Sequence, residues 1–358
     1  MKPKDTIAVE SYSNKKFMRK PLFKIREKGK YGFMDNSGEI VIEPQYYEAE
    51  AFYNGFSRVQ FNNKLVPLDG LGRLLLKHLF NYVGLFEENL AKVKLVNQWG
   101  FIDERGSLVI PIQFDDASDF SEGLAAVMIN GSYGYIDKNG QFFIEPMFED
   151  AAEFKDGLAP AKLKNLYGLI DLDGQFVVSP RFENCAAFQK DVAVITKGDK
   201  WGLTNRSGEV LIEPQFDWID DYANGEFFEG MAVASKNNQY GIVSQEGEIV
   251  LQPKHDFIGD FGEGLALVEI QEKFGFLDKR GNVAIDPRYA DAGVFADGLA
   301  QVKINNEWGF INTEGTMIIQ PRFEEVLPFQ NGLAWVSYKG KWAYIDRWGD
   351  VVWQEKNF

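Results

Sequence analysis

The chain has 358 residues, 45% of them apolar, with 30 Phe, 14 Tyr and 8 Trp and a formal net charge of −15. That composition affords a sizeable core and excludes wholesale disorder, while the acidic balance excludes the counterion-releasing contacts that nucleic acid or an anionic bilayer demands. One Cys removes an intramolecular disulfide framework, and no stretch approaches the roughly 20 apolar residues of a spanning helix, so a cytoplasmic setting without membrane contact is expected.

Met1 to Lys20 is polar and Lys-rich and lacks the apolar run of a signal peptide. It reads as a flexible basic tail (residues 1–20) ahead of one β domain over residues 21–358. From there an aromatic followed by Gly recurs as Tyr31-Gly32, Trp99-Gly100, Tyr133-Gly134, Tyr167-Gly168, Trp201-Gly202, Tyr240-Gly241, Phe274-Gly275 and Trp308-Gly309, with worn copies at Leu65-Val66 and Trp342-Ala343. Successive anchors lie 34 residues apart except for one interval of 39, between Trp201 and Tyr240. A fixed period of this size marks a repeat architecture, in which each unit buries its apolar face against its neighbours.

The fourth copy shows the parse. Gly123 to Asn130 reads as a strand, Gly131-Ser132 as a tight hairpin turn, and Tyr133 to Asp137 as a second strand. Lys138-Asn139-Gly140 turns the chain again, and Gln141 to Glu145 forms a third strand stopped by Pro146, which cannot donate to a ladder. Met147 to Gly157 is a connector with aromatic and small apolar pegs. Helix-length periodicity is missing, so each unit is expected to be a three-stranded antiparallel meander. The first unit opens on its first strand and the last closes on its third, at Val351 to Trp353. Ends on unit boundaries favour an elongated solenoid or superhelix over the alternative, a closed propeller-like ring.

The combined pattern aromatic-Gly-(Phe/Tyr)-Ile-Asp-x-x-Gly, Val-Ile-x-Pro-x-(Phe/Tyr) and Ala-x-x-Phe-x-x-Gly-Leu-Ala-x-Val resembles the WG-repeat (KWG-repeat) family of bacterial proteins, over residues 22–353. The resemblance implies tandem all-β repeats and a bacterial origin, and brings no settled activity.

Asp recurs four residues after the anchor, as at Asp35, Asp69, Asp103, Asp137, Asp171, Asp278 and Asp346, with Asn205, Ser244 and Asn312 in the same slot. All can cap a turn that ends on Gly, which outweighs an acid–base or cation-binding role. The Gly after each anchor is read as room for a close approach by the neighbouring unit, an allowance the terminal Ala343 dispenses with. The connector Phe (Phe86, Phe120, Phe154 and their kin) is read as core, and Cys185 as an inert buried thiol. His78 and His255 stand in unrelated slots, and no metal cluster, cofactor loop or nucleophile–base pair emerges. A non-enzymatic scaffold for a protein or basic peptide follows, with a carbohydrate- or envelope-binding module as the alternative.

Function in repeat proteins concentrates where a unit departs from its sisters. Two units do. The second crowds Leu71, Leu74, Leu75, Leu76 and Leu79 where others are polar. The connector from Phe216 to Gly230 carries the single insertion, and its Trp218, Asp220, Asp221, Tyr222, Phe227 and Phe228 combine ring faces with carboxylates. These six are the partner-binding candidates, suited to a Lys- or Arg-bearing segment or a sugar face.

Overall fold

The computed structural model describes residues 21–61, 64–75, 80–186, 188, 191–219, 227 and 229–355. Among them there is no helix, and none long and apolar enough to cross a membrane. The strands form ten small antiparallel sheets, one per unit: a three-stranded sheet, then a two-stranded one, then eight of four strands. In the fourth unit Ala125–Ile129, Ser132–Ile136 and Phe142–Phe148 are the expected meander. A two-residue stub from the preceding connector, Asp116–Ala117, adds a fourth strand by pairing with Met128 and Val127. The second unit keeps its hairpin, Phe56–Phe61 against Lys64–Asp69, and a single Leu68–Leu74 bridge begins its third strand. Leu76, His78 and Leu79 lie outside the described residues.

The third strand does not stop at Pro146. It runs to Phe148, and the proline sits inside a bulge: Tyr133 pairs with Phe148 and Tyr135 with Ile144. Three residues, Glu145 to Met147, therefore oppose Gly134 alone, and the site asks no ladder donor of Pro146. The bulge folds over Gly134, where a Cβ would lie 2.5 Å from the Ile144 carbonyl oxygen and 2.7 Å from the Pro146 nitrogen. The glycine after the anchor thus makes room for its own third strand, rather than for the neighbouring unit. The last unit confirms the reason. Its third strand pairs Ala343 with Gln354 and Tyr344 with Trp353, without that bulge, and so tolerates a methyl group.

The second turn of the unit is as read from the sequence, whereas the hairpin turn falls on Asn130-Gly131, because Ser132 already pairs with Ile129 in the ladder. Asp137 Oδ1 accepts the amides of Asn139 and Gln141, both at 2.9 Å, and Asn205, Asn312 and Asp346 repeat the pattern. The backbone amide bonds hold the Asp137 carboxyl below its ordinary range. These carboxylates are spent on turns.

The core lies between units. Leu124, Ala126, Tyr135, Ile144 and Phe148 of the fourth unit pack against Ala159, Ala161 and Ile170 of the fifth, with Phe154 of the intervening connector completely buried between them. The same positions meet at the two ends of the array: Leu333, Trp335, Tyr344 and Trp353 of the last unit pack on Phe23, Ile25, Met34 and Ile40 of the first. Tyr344 adds an edge contact to Phe23 and a 3.0 Å hydrogen bond from its hydroxyl to the Lys24 carbonyl. Of the two arrangements considered, the contacts describe the ring. Unit-boundary ends do not argue against it, because closure works through face packing and needs no strand shared between the termini.

Candidate functional site

Eight of the connectors return into the next first strand through a tight turn whose two central residues have positive φ among the described residues, as in Glu122 (54°) and Gly123 (84°). Gly suits its place without strain, but a Glu in the left-handed region needs compensation. It comes from the next unit. Glu88 accepts the Gly123 amide (3.0 Å), Glu122 that of Gly157 (2.8 Å), Glu263 that of Gly298 (2.6 Å) and Asp297 that of Gly332 (2.7 Å). Some rungs gain a cation from the second turn of the following unit: Lys138 lies 3.0 Å from Glu88 and Lys279 2.9 Å from Glu229. The result is a ladder of carboxylates running from unit to unit along one circle of the ring.

The ladder breaks at the closure. Asn331 and Asn54 replace the acid there, Pro21 replaces the Gly of the first unit and has no N–H to offer, and Asn89 replaces that of the third; Asp191 replaces it in the sixth unit as well. A cleft of about 470 Å³ opens there, lined by Leu22, Phe52, Asn54, Phe86, Asn89, Glu88, Glu104 and Asn331 among others. Turn tips from the last, first, second and third units share this one cleft, which places the circle on the narrow, axial side of the ring.

Beside the cleft the same circle carries an acidic arc from three consecutive connectors: Glu87, Asp119 and Glu153. Tyr53 hydrogen-bonds to Glu87, and the Asp119 amide donates to Glu153 Oε1 at 3.2 Å. Lys92 reaches Asp119 Oδ2 at 3.1 Å, while the buried Asp119 Oδ1 has no hydrogen-bond partner. Burial, then the Asp119 charge, push the carboxyls of Glu87 and Glu153 above the ordinary glutamate value. Among the described residues no group of His, Cys, Asp and Glu is arranged to hold a metal ion.

The insertion singled out in the sequence is placed only in part. Trp218 is a half-buried strand residue packed on the Val233–Ile242–Ile258 core, and Phe227 packs on the Ile219–Ala232 cluster. Both rings turn inward. Asp220, Asp221, Tyr222 and Phe228 lie outside the described residues. Cys185 is buried, and burial pushes its thiol up to about 12; His255 is half-buried, with burial and Lys254 pushing it down. The acidic arc escaped the sequence reading. Its signal was present in Asp119 and Glu153, which share a slot 34 residues apart, but Glu87 joins them from a different slot.

A model of the WG containing repeat matches residues 31–64, 68–97, 99–133, 133–167, 167–201, 201–240, 240–274, 274–308 and 308–342. No curated protein matches the chain. Among solved structures it is similar to a eukaryotic initiation factor (11% identity, 94% of this chain and 96% of that one, TM-score 0.48). It is also similar to Hsv2p of Kluyveromyces lactis (10%, 65% and 93%, TM-score 0.32) and to the dihydro-heme d1 dehydrogenase NirN (12%, 78% and 75%, TM-score 0.40). All three scores lie below 0.5 and carry no argument about this chain.

Proposed function

The chain belongs to the WG containing repeat family, and we propose that it is a non-enzymatic scaffold that binds a basic segment of a protein or peptide at the axial side of its ring. The observation that carries this is the acidic arc, in which Glu87, Asp119 and Glu153 raise one another's energy, Lys92 pairs with Asp119 alone, and a buried Asp119 carboxylate oxygen has no hydrogen-bond partner. Like charges held together in partly dry surroundings raise one another's energy, and an incoming ammonium or guanidinium relieves that cost. The net charge of −15 adds long-range steering of cationic partners. The repeated turn carboxylates, occupied by backbone amides, add no nucleophile or base.

The test is a titration with labelled octa-arginine, read by fluorescence anisotropy at about 0.05 M and about 0.3 M salt, where the Debye length shortens from above to below 10 Å. Binding that weakens with salt and is lost in Glu87→Gln/Glu153→Gln supports the reading. Failure to bind at low salt overturns it, and salt-independent binding of a neutral oligosaccharide replaces it with the carbohydrate reading. The insertion between Phe216 and Gly230 supplies a second contact on the same reading, and shortening that unit to 34 residues should weaken binding without abolishing it.

A further inference from the structure

The residue that opens a connector caps the hairpin beside it. Asp115 accepts the Asn130 amide (3.1 Å), Glu183 that of Gly198 (2.8 Å) and Asp217 that of Asn237 (2.6 Å), and Glu149 and Glu324 do the same in their units. The second and third units depart from this together. Tyr47 and Asn81 hold the slot, and Tyr82 stands where the next two units have Asp116 and Asp150. Val96 takes the hairpin position of Asn130 and Lys164, keeps their positive φ at 59°, and is 74% exposed. A β-branched residue in the left-handed region is strained, and one so exposed buries little in return. Tyr47, Leu65, Tyr82 and Leu95 are large and exposed as well.

Polar contacts hold these side chains at one junction between the two units. Val96 donates its amide to Asn81 Oδ1 at 2.6 Å, and Lys64, next to Leu65, donates to the carbonyl of the adjoining Phe80 at 3.4 Å. Tyr82 pairs with Lys94 across the ladder and sets its ring 5.5 Å from Trp99. Lys94 lies over the Trp99 ring at 5.0 Å and Lys30 over Tyr47 at 5.2 Å. Among the described residues none of Lys30, Lys64 and Lys94 has a carboxylate partner. Residues 21–98 carry ten Lys and Arg against nine Asp and Glu, where the whole chain carries 38 against 53. The junction is therefore apolar and cationic in an acidic protein.

We propose that this hairpin junction is the docking site for a partner segment in which Asp or Glu alternates with bulky apolar residues. The apolar residues cover Leu65, Leu95 and Val96, and the carboxylates meet Lys64 and Lys94. The site goes beyond the basic-partner reading and stands apart from it in space. Strand Leu90–Leu95 runs from the acidic arc at Glu87 to Val96, six residues or about 20 Å. At about 0.15 M salt the Debye length is about 8 Å, so an acidic segment responds to the lysines beside it rather than to the arc.

The test titrates three labelled octapeptides into the full chain at about 0.15 M salt: alternating glutamate–leucine, alternating serine–leucine, and octa-arginine. Val96→Asn/Leu95→Thr restores the residue that the fourth unit carries in this turn and relieves the strain, so its thermal transition should be no lower than the parent's. It should weaken the glutamate–leucine peptide about tenfold, as loss of interface anchors does, and leave octa-arginine within about twofold. Lys64→Gln/Lys94→Gln should weaken the glutamate–leucine peptide several-fold, and Glu87→Gln/Glu153→Gln should leave it unchanged. Failure of the parent to bind the glutamate–leucine peptide, or parent-like binding by both junction variants, overturns the site. Equal binding of the serine–leucine peptide overturns an acidic partner. A dimer seen by sedimentation and abolished by Val96→Asn/Leu95→Thr overturns it in favour of a second copy of this chain. Loss of octa-arginine binding alone strikes the basic-partner reading and leaves this one standing.

Discussion

Gly134→Ala should damage the fourth unit more than any substitution of one methyl group at a turn glycine. Gly134 has no positive φ, so its conformational freedom is not at stake; space is. The added Cβ would sit 2.5 Å from the Ile144 carbonyl oxygen and 2.7 Å from the Pro146 nitrogen, against an ordinary contact of about 3.4 Å or more. Both obstacles are backbone, so the third strand must move by nearly 1 Å. Overpacking of this kind costs about 1–3 kcal/mol, and loosening one ladder hydrogen bond adds about 1 kcal/mol, for a total of about 3 kcal/mol. Gly131→Ala is the control: its φ is 79° and nothing lies within 4 Å of the added carbon, leaving left-handed strain of about 1–2 kcal/mol. Native-state hydrogen exchange should show amides of Ser132–Ile136 and Phe142–Phe148 exchanging about 100-fold faster in Gly134→Ala, at 1.36 kcal/mol per tenfold. Gly131→Ala should raise the rate about tenfold, and amides of the eighth unit should be unchanged in both, since repeat arrays confine damage to neighbours. Equal effects, or a larger one from Gly131→Ala, would refute the account of the bulge.

Phe154→Ala removes a completely buried ring that packs 4.7 Å from Tyr135 and should cost about 3–5 kcal/mol, visible as a lowered urea midpoint with the damage centred on the fourth and fifth units. The Cys185 thiol should resist iodoacetamide at about pH 8 in the folded protein and react once denaturant is added, because burial holds it protonated. Glu87 and Glu153 titrate above the ordinary glutamate value, so the folded state binds their protons more readily than the unfolded chain. Their contribution to stability is fully present below the unfolded pKa and is lost as pH rises through the folded one, while octa-arginine affinity runs the other way and falls as pH drops from about 7 toward that same window. Glu153→Gln should flatten both profiles.

Local chemistry was readable in the sequence wherever cause and effect lie within a few residues. Asp137 caps a turn that ends three residues later, and Phe154 declares itself core by standing in a slot that every connector fills with an aromatic. The Asp116–Ala117 stub was not readable, since two residues carry no periodicity and its partner, Val127–Met128, supplies the evidence only once paired. Pro146 misled because a proline ends a strand only where its missing N–H is wanted. Ring closure joins Phe23 to Tyr344 through faces whose composition, Trp335 and Trp353 where sister units carry Ala126 and Ile144, gives no hint of direction until the units are stacked. The acidic arc is hidden for a related reason: its members come from three units.

An open stack of repeats must finish somewhere, and it finishes on capping units whose outer faces are polar enough for water. Neither terminal unit here has such a face. Phe23 and Ile25 on one side and Trp335 and Trp353 on the other are apolar, and they are covered only because they meet. The ring therefore counts. An open array lengthens or shortens by whole units with little consequence beyond its reach. Here the angle between neighbours is tied to the number of units, and gain or loss of one must be absorbed by every interface at once or leave two oily faces bare. A lineage carrying this arrangement is free to vary loops, rims and clefts, but its repeat number is held as firmly as any buried residue.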